Sequence, residues 1–299
     1  MRTATGSAPA SALPWWPSTT PADEGLARAI AAAQEQERCA LATYVPVGFP
    51  DRIASMDTLH RLAQSADVIE LGVPFEGHFD GPVIQAASRT ALDAGFRMQH
   101  LFEAAEELSA SSSAALLTMT YWQPVHAFGP VRFAAQAAAA GISGVLIPDL
   151  PLEEAAEWLD AARAAGLAAI PLVSARTAPD RLAAIVAAAT GMVYAPATDG
   201  VTGNPQPISP RLPGLIAQLQ SLTSLPIAAG IGISTPAQAR AAARWADLVV
   251  VGSAVIRSMQ ANPTDPVAAA AATSRAFAEA LLPAHQPGRH RARAQRTQA

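Results

Sequence analysis

The chain has 299 residues and a formal net charge of −4; 51% of it is hydrophobic and 15% charged, enough apolar material for a large core and no basic surplus to attract nucleic acid. A single cysteine, Cys39, excludes an internal disulfide framework or a cysteine-built zinc cluster and suits a reducing cytoplasm, and no apolar run is long enough to span a bilayer. All 20 basic residues are arginine, which excludes three chemistries that need a lysine amine: a Schiff-base aldolase, a pyridoxal-phosphate enzyme with its own lysine, and a Walker A loop.

Residues 1–24 are rich in Ala, Pro, Ser and Thr, and Pro14 and Pro17 flank Trp15 and Trp16 where a secretory signal would place its apolar segment; the stretch reads as a flexible extension. From 25 to 283, short apolar runs alternate with amphipathic, alanine-rich segments. The runs are ALATYVPV (40–47), ADVIELGVPF (66–75), AALLTMTY (114–121), GVLIPDL (144–150), LAAIPLVS (167–174), GMVYAPA (191–197), PIAAGIGI (226–233) and DLVVVGSAV (247–255). Helices are expected around 55–65, 82–94, 100–111, 130–140, 153–165, 180–189, 209–222, 236–245 and 265–282. Strands alternating with helices build βαβ units and a parallel sheet, and strands apolar throughout are covered on both faces. Eight such units in roughly 250 residues make an α/β fold of the (β/α)8 TIM-barrel type, a single domain. The alternative, a doubly wound open sheet, wants a glycine-rich fingerprint after the first strand, which PVGFPD does not supply. Residues 284–299, with Arg289, Arg291, Arg293 and Arg296, read as a basic, disordered tail.

In such barrels the chemistry sits at the C-terminal ends of the strands. There, Glu70 interrupts an apolar run; a carboxylate buried at that point must be protonated, paired with backbone donors, or functional. Burial raises a carboxyl pKa, which suits a group that gives and takes a proton near neutrality. Asp80 precedes Gly81-Pro82 and a helix, so its ordinary reading is a helix N-cap; beside Glu70 at one mouth, it would divide acid and base work instead. The turns Gly230-Ile231-Gly232-Ile233-Ser234 and Gly252-Ser253 end the seventh and eighth strands, where these barrels bind phosphate on backbone N–H groups and a helix N-terminus. Tyr194 lies near the tip of the sixth strand and offers either an aromatic face or core packing; the long loop after it centres on Thr202 and Gly203 and reads as a lid or a mobile surface. Glu76, His78 and Asp80 alternate on one loop and offer a metal-site alternative.

Taken in order, ELGVPF with DGPVIQ, GVLIPDLPLEE, PLVSARTAPDR, GVTG, GIGIST and VVVGSAV closely resemble the tryptophan synthase α subunit family, from about Ala40 to Ile256. The resemblance implies a lyase of tryptophan biosynthesis that cleaves indole-3-glycerol phosphate to indole and glyceraldehyde 3-phosphate, with no metal or organic cofactor. It gives Glu70 the acid–base role and has Asp80 accept a hydrogen bond from the indole N–H. It assigns phosphate binding to Gly203, Gly232, Gly252 and Ser253, with Ile233 a further substrate contact. Thr202 takes the place of the lid threonine, and Tyr44, Met119 and Tyr194 line the indole pocket.

This chain departs from the family at several points. Glu76-Gly77-His78-Phe79-Asp80 replaces a longer Ser-Asp-Pro-containing loop, Pro46-Val47-Gly48 replaces Thr-Ala-Gly, Gln123-Pro124 replaces Asn-Pro, and Thr198 stands where an arginine is frequent. The loop and the Asn-Pro position face the β subunit in the family. The implied readings are therefore an α subunit with a β-type partner, a free-standing indole-forming homologue, or a catalytically weak regulatory subunit.

Overall fold

The structure, a computed structural model, describes residues 21–77, 80–199 and 207–283. In chain order the elements are α1 (Pro21–Glu35), β1 (Ala40–Pro46), α2 (Arg52–Leu62), β2 (Val68–Gly72), α3 (Pro82–Asp93), α4 (Met98–Ser111), β3 (Ala115–Met119), α5 (Trp122–Phe128), α6 (Pro130–Ala139) and β4 (Ile142–Leu146). They continue with α7 (Ala156–Ala165), β5 (Ala168–Ile170), α8 (Pro179–Ala188), β6 (Val193–Pro196), α9 (Leu212–Leu222), β7 (Ile227–Gly230), α10 (Pro236–Ala242), β8 (Leu248–Val251), α11 (Ser253–Ala261) and α12 (Pro266–Leu281).

All strand pairs are parallel, in the order β5-β4-β3-β2-β1-β8-β7-β6. The circle closes between β5 and β6 through a single bridge, Leu172 to Tyr194, with the Val173 N–H donating to the Tyr194 carbonyl at 2.9 Å. Pro171 has no N–H to give at that junction, which keeps the closing ladder short. The result is the expected TIM barrel, with seven of the eight strands inside the apolar runs. Only the fourth run is displaced: β4 spans Ile142–Leu146 rather than 144–150, and Pro148 and Asp149 fall in the loop beyond it, where Asp149 accepts from the Trp122 N–H at 2.8 Å.

Three helices escaped the periodicity reading. α5 is short, α11 is marked only by the Gly252-Ser253 turn that was expected to lead into a helix, and α1 begins at Pro21, inside the stretch expected to be an extension. α1 has a clear purpose. Leu26, Ile30 and Ala33 are buried against the inward side chains of the strands, including Ala40, Ala42, Val68, Ala115, Leu117 and Leu248. Alanines on the strands leave a hollow at the N-terminal end of the barrel, and the larger residues of α1 plug it. Its C-terminal end is tied down where the Gln34 amide donates to Asp247 at 3.1 Å, while the second Asp247 oxygen accepts from the Ile227 N–H at 2.9 Å. Arg38 adds a bidentate pair with Asp67 at 2.6 and 2.7 Å. Around the outside, helices bury their apolar stripes on the sheet. Proline at the first turn starts α3, α6, α8, α9, α10 and α12, and Asp51 and Asp265 cap α2 and α12. With the N-terminal end plugged, the open end of the barrel is the C-terminal face.

Among the described residues no helix is long and apolar enough to cross a membrane.

Candidate active site

Alternation along each strand turns Tyr44, Glu70, Met119, Tyr194 and Val250 inward, and all five line one pocket at the C-terminal mouth. Leu146, Pro148, Leu172 and Ile84 supply further apolar wall; Asp80, Gly232, Ile233, Gly252 and Ser253 complete it. Nine of the residues picked out in the sequence thus share one cavity. The other two, Thr202 and Gly203, lie outside the described residues.

Glu70 pairs in register with Tyr44 on β1 and Leu117 on β3 and is 4% exposed. Among the described residues its carboxyl accepts no hydrogen bond, so the backbone-satisfied reading of this side chain does not hold. Burial, reinforced by the negative charge of Asp80, raises its pKa from 4.5 to about 8. Asp80 is also buried, and burial raises it from 3.8 to about 6, while the hydroxyl of Tyr121 opposes the rise. Near neutrality the two carboxyls therefore differ in state, Glu70 protonated and Asp80 ionised.

Asp80 is not a helix cap. Gly81 is the N-cap of α3 and the Asp80 carboxyl makes no capping bond. The main chain at Asp80 is held instead by Gln85, whose amide donates to the Asp80 carbonyl at 2.8 Å. Close by, Gly77 passes over the ring of Tyr121, where a Cβ would lie only 1.9 Å from the ring. The metal alternative loses its geometry here. Glu76 is exposed and pairs with Arg89 at 2.9 Å, whereas Asp80 is buried in the pocket, and His78 lies outside the described residues. Among the described residues no group of three or more His, Cys, Asp or Glu side chains is placed to hold a metal ion.

The glycines at the strand ends are there for clearance. A Cβ on Gly72 would meet the Tyr44 ring at 2.7 Å, and one on Gly230 would meet the Tyr194 hydroxyl at 1.8 Å. After β7 the chain turns through Ile231 at φ 60 and Gly232 at φ 92. A β-branched residue held at positive φ costs on the order of 1–3 kcal/mol, strain of the kind found at functional sites. Thr198 steadies this turn: its hydroxyl donates to the Ile231 carbonyl at 3.1 Å. Gly252 then leads straight into α11, whose first residue is Ser253, so the free N–H groups of that helix end open at the pocket.

A family model for the tryptophan synthase alpha chain matches residues 30–282. The chain belongs to the tryptophan synthase alpha chain family. It is similar to the tryptophan synthase alpha chain of Mycobacterium ulcerans, 40% identical over 226 residues, 75% of this chain and 84% of that protein. To the alpha chain of Streptomyces coelicolor it is 37% identical over 238 residues, 79% of this chain and 88% of the other. A solved structure of Mycobacterium tuberculosis tryptophan synthase superposes with a TM-score of 0.80 at 36% identity, covering 87% of this chain and 98% of that one.

For this alpha-chain homologue, sequence reasoning passed over Tyr121, Thr198 in its turn-holding role, and the apolar wall of Leu146, Leu172 and Ile84. The inward phase of the strands would have marked Leu146 and Leu172. Nothing local marks Tyr121 or Thr198, because each acts on a segment distant in the chain.

Proposed function

We propose that this chain cleaves indole-3-glycerol phosphate to indole and glyceraldehyde 3-phosphate by acid–base retro-aldol chemistry, with Glu70 and Asp80 as its catalytic carboxyls. Family membership carries the reaction. The observation that carries the assignment of roles is the placement of two buried carboxyls, Glu70 and Asp80, in one pocket with the Gly232 and Gly252-Ser253 turns; burial raises both pKa values, that of Glu70 further.

In this reading the substrate phosphate is held by the N–H groups at Gly232, Gly252 and Ser253, with Gly203 contributing from the lid loop. The indole lies against Met119 and Tyr194, and Ile233 packs beside it. Glu70 delivers its proton to indole C3, which makes the ring an iminium, and Asp80 accepts the indole N–H and balances the charge. The Glu70 carboxylate then takes the proton of the hydroxyl on the carbon bonded to C3. That carbon's bond to C3 breaks, the aldehyde forms, and the electron pair returns through C3 to the ring nitrogen. One proton has moved from oxygen to carbon and Glu70 is protonated again. The iminium is an electron sink within the substrate, so the bond breaks without a lysine amine. Thr202 takes the part of the residue that orders the lid.

The partner that fits is a tryptophan synthase β-type subunit, and the compartment is the cytoplasm, in keeping with a lone buried thiol. Purified chain is given indole-3-glycerol phosphate, alone and with a β subunit. Indole release that disappears in Glu70→Gln, with the fold retained, is the expected result. Full indole release by that variant would overturn the assignment of Glu70. Activation and co-elution with the β subunit, without indole formed by this chain, would instead select a regulatory role.

A further inference from the structure

By its place in the family pattern Tyr44 is expected to do no more than line the indole pocket. Its surroundings are more polar than that. The ring is wedged between two glycines, with positions for a Cβ on Gly252 lying 2.9 Å from Cδ1 and on Gly72 lying 2.6 Å from the hydroxyl oxygen. It therefore extends from the Gly252-Ser253 turn to the space above Glu70, its register partner on β2. The residue is 5% exposed and faces the pocket, and among the described residues its hydroxyl makes no hydrogen bond. A phenylalanine would fill the same slot, so the hydroxyl adds to this wall a polar group that opens into the pocket and is available to a ligand. Burial together with the negative fields of Asp80 and Glu70 holds the hydroxyl in its protonated form, so what it offers is a donor.

We infer that the Tyr44 hydroxyl is a substrate contact, donating a hydrogen bond to a glyceryl hydroxyl oxygen of the substrate next to the bond that breaks. The inference rests on the lyase reading and deepens it. A substrate with its phosphate at Gly252-Ser253 and its ring between Glu70 and Asp80 must lay its glyceryl carbons along the length of Tyr44. Asp80 takes the indole N–H, which leaves the glyceryl oxygens as the acceptors within reach. Tyr44 then reads the hydroxylated part of the substrate, not the indole.

The test compares two ligands in Tyr44→Phe, which keeps the ring and its packing between the glycines. One is indole-3-glycerol phosphate; the other is indole-3-propanol phosphate, which has the ring and the phosphate but neither hydroxyl. Loss of one buried hydrogen bond lowers kcat/KM for the first by about tenfold and changes the inhibition constant of the second by less than about twofold. Tyr44→Leu, which removes the ring as well, weakens both. Equal effects of Tyr44→Phe on the two ligands, or none on either, overturn the inference while wild-type turnover leaves the lyase reading standing. No indole from the wild type, with or without a β subunit, overturns both.

Discussion

Replacing Glu70 with glutamine should abolish indole formation and, in the same stroke, make the protein more stable at neutral and alkaline pH. The native state holds the Glu70 proton up to about pH 8, while the unfolded chain releases it near the ordinary value of 4.5. Between those limits the native state binds more protons than the unfolded state, so the wild type loses stability as pH rises through the window, by about 1.4 kcal/mol per pH unit. Over the full shift this amounts to on the order of 5 kcal/mol, with about 3 kcal/mol lost by pH 7. Glutamine cannot ionise and loses none of it. Urea unfolding of the two proteins across this range gives the difference directly. It should be constant below about pH 4.5, grow in favour of the variant up to about pH 8, and level off above. Because Asp80 is present in both, its own titration largely cancels. A difference that stays flat from acid to alkali would refute the claim that Glu70 is kept protonated by a dry site, and with it the proton source for indole C3.

Turnover should follow a bell in pH: kcat/KM rises through about pH 6 as Asp80 ionises and falls through about pH 8 as Glu70 gives up its proton, as initial rates of indole release would record. Gly232→Ala forces an L side chain to φ 92 with its Cβ 2.2 Å from the Thr198 hydroxyl, so the turn shifts; KM for the phosphorylated substrate should rise by about tenfold or more, with a stability loss of about 1 kcal/mol or more in urea unfolding. Ile30→Ala opens a void under the barrel and should cost about 2–5 kcal/mol by the same measurement, whereas a peripheral α1 would show less than about 1.

Strands, helices and their order were open to inspection in the sequence because burial on both faces writes a continuous apolar run, and amphipathic periodicity marks the covering helices. The same logic exposed Glu70, a carboxyl where only hydrocarbon belongs. The plug α1 was hidden for a physical reason: its apolar face is short and sits in an alanine-rich stretch whose neighbours are supplied by strands from all round the barrel. The lid residues Thr202 and Gly203 were named from the family pattern and lie outside the described residues.

Asp80 marks the boundary between the two kinds of information. Local rules make an aspartate before Gly-Pro and a helix a cap, and those rules operate over three or four residues. Only the closed barrel, which swings its carboxyl into the pocket beside Glu70 and Tyr121, turns it into the ionised partner of a protonated acid. Tyr44 is the parallel case: the family pattern puts it in the pocket wall, but the two glycines that let it reach across the mouth come from different parts of the barrel, Gly72 on β2 and Gly252 after β8. Sequence alone determined which segments form the strands and most of the helices, and in what order they follow. The tertiary structure decided which polar groups are stranded there together, because desolvation and the fields of neighbouring charges depend on distances in space that the spacing along the chain does not contain.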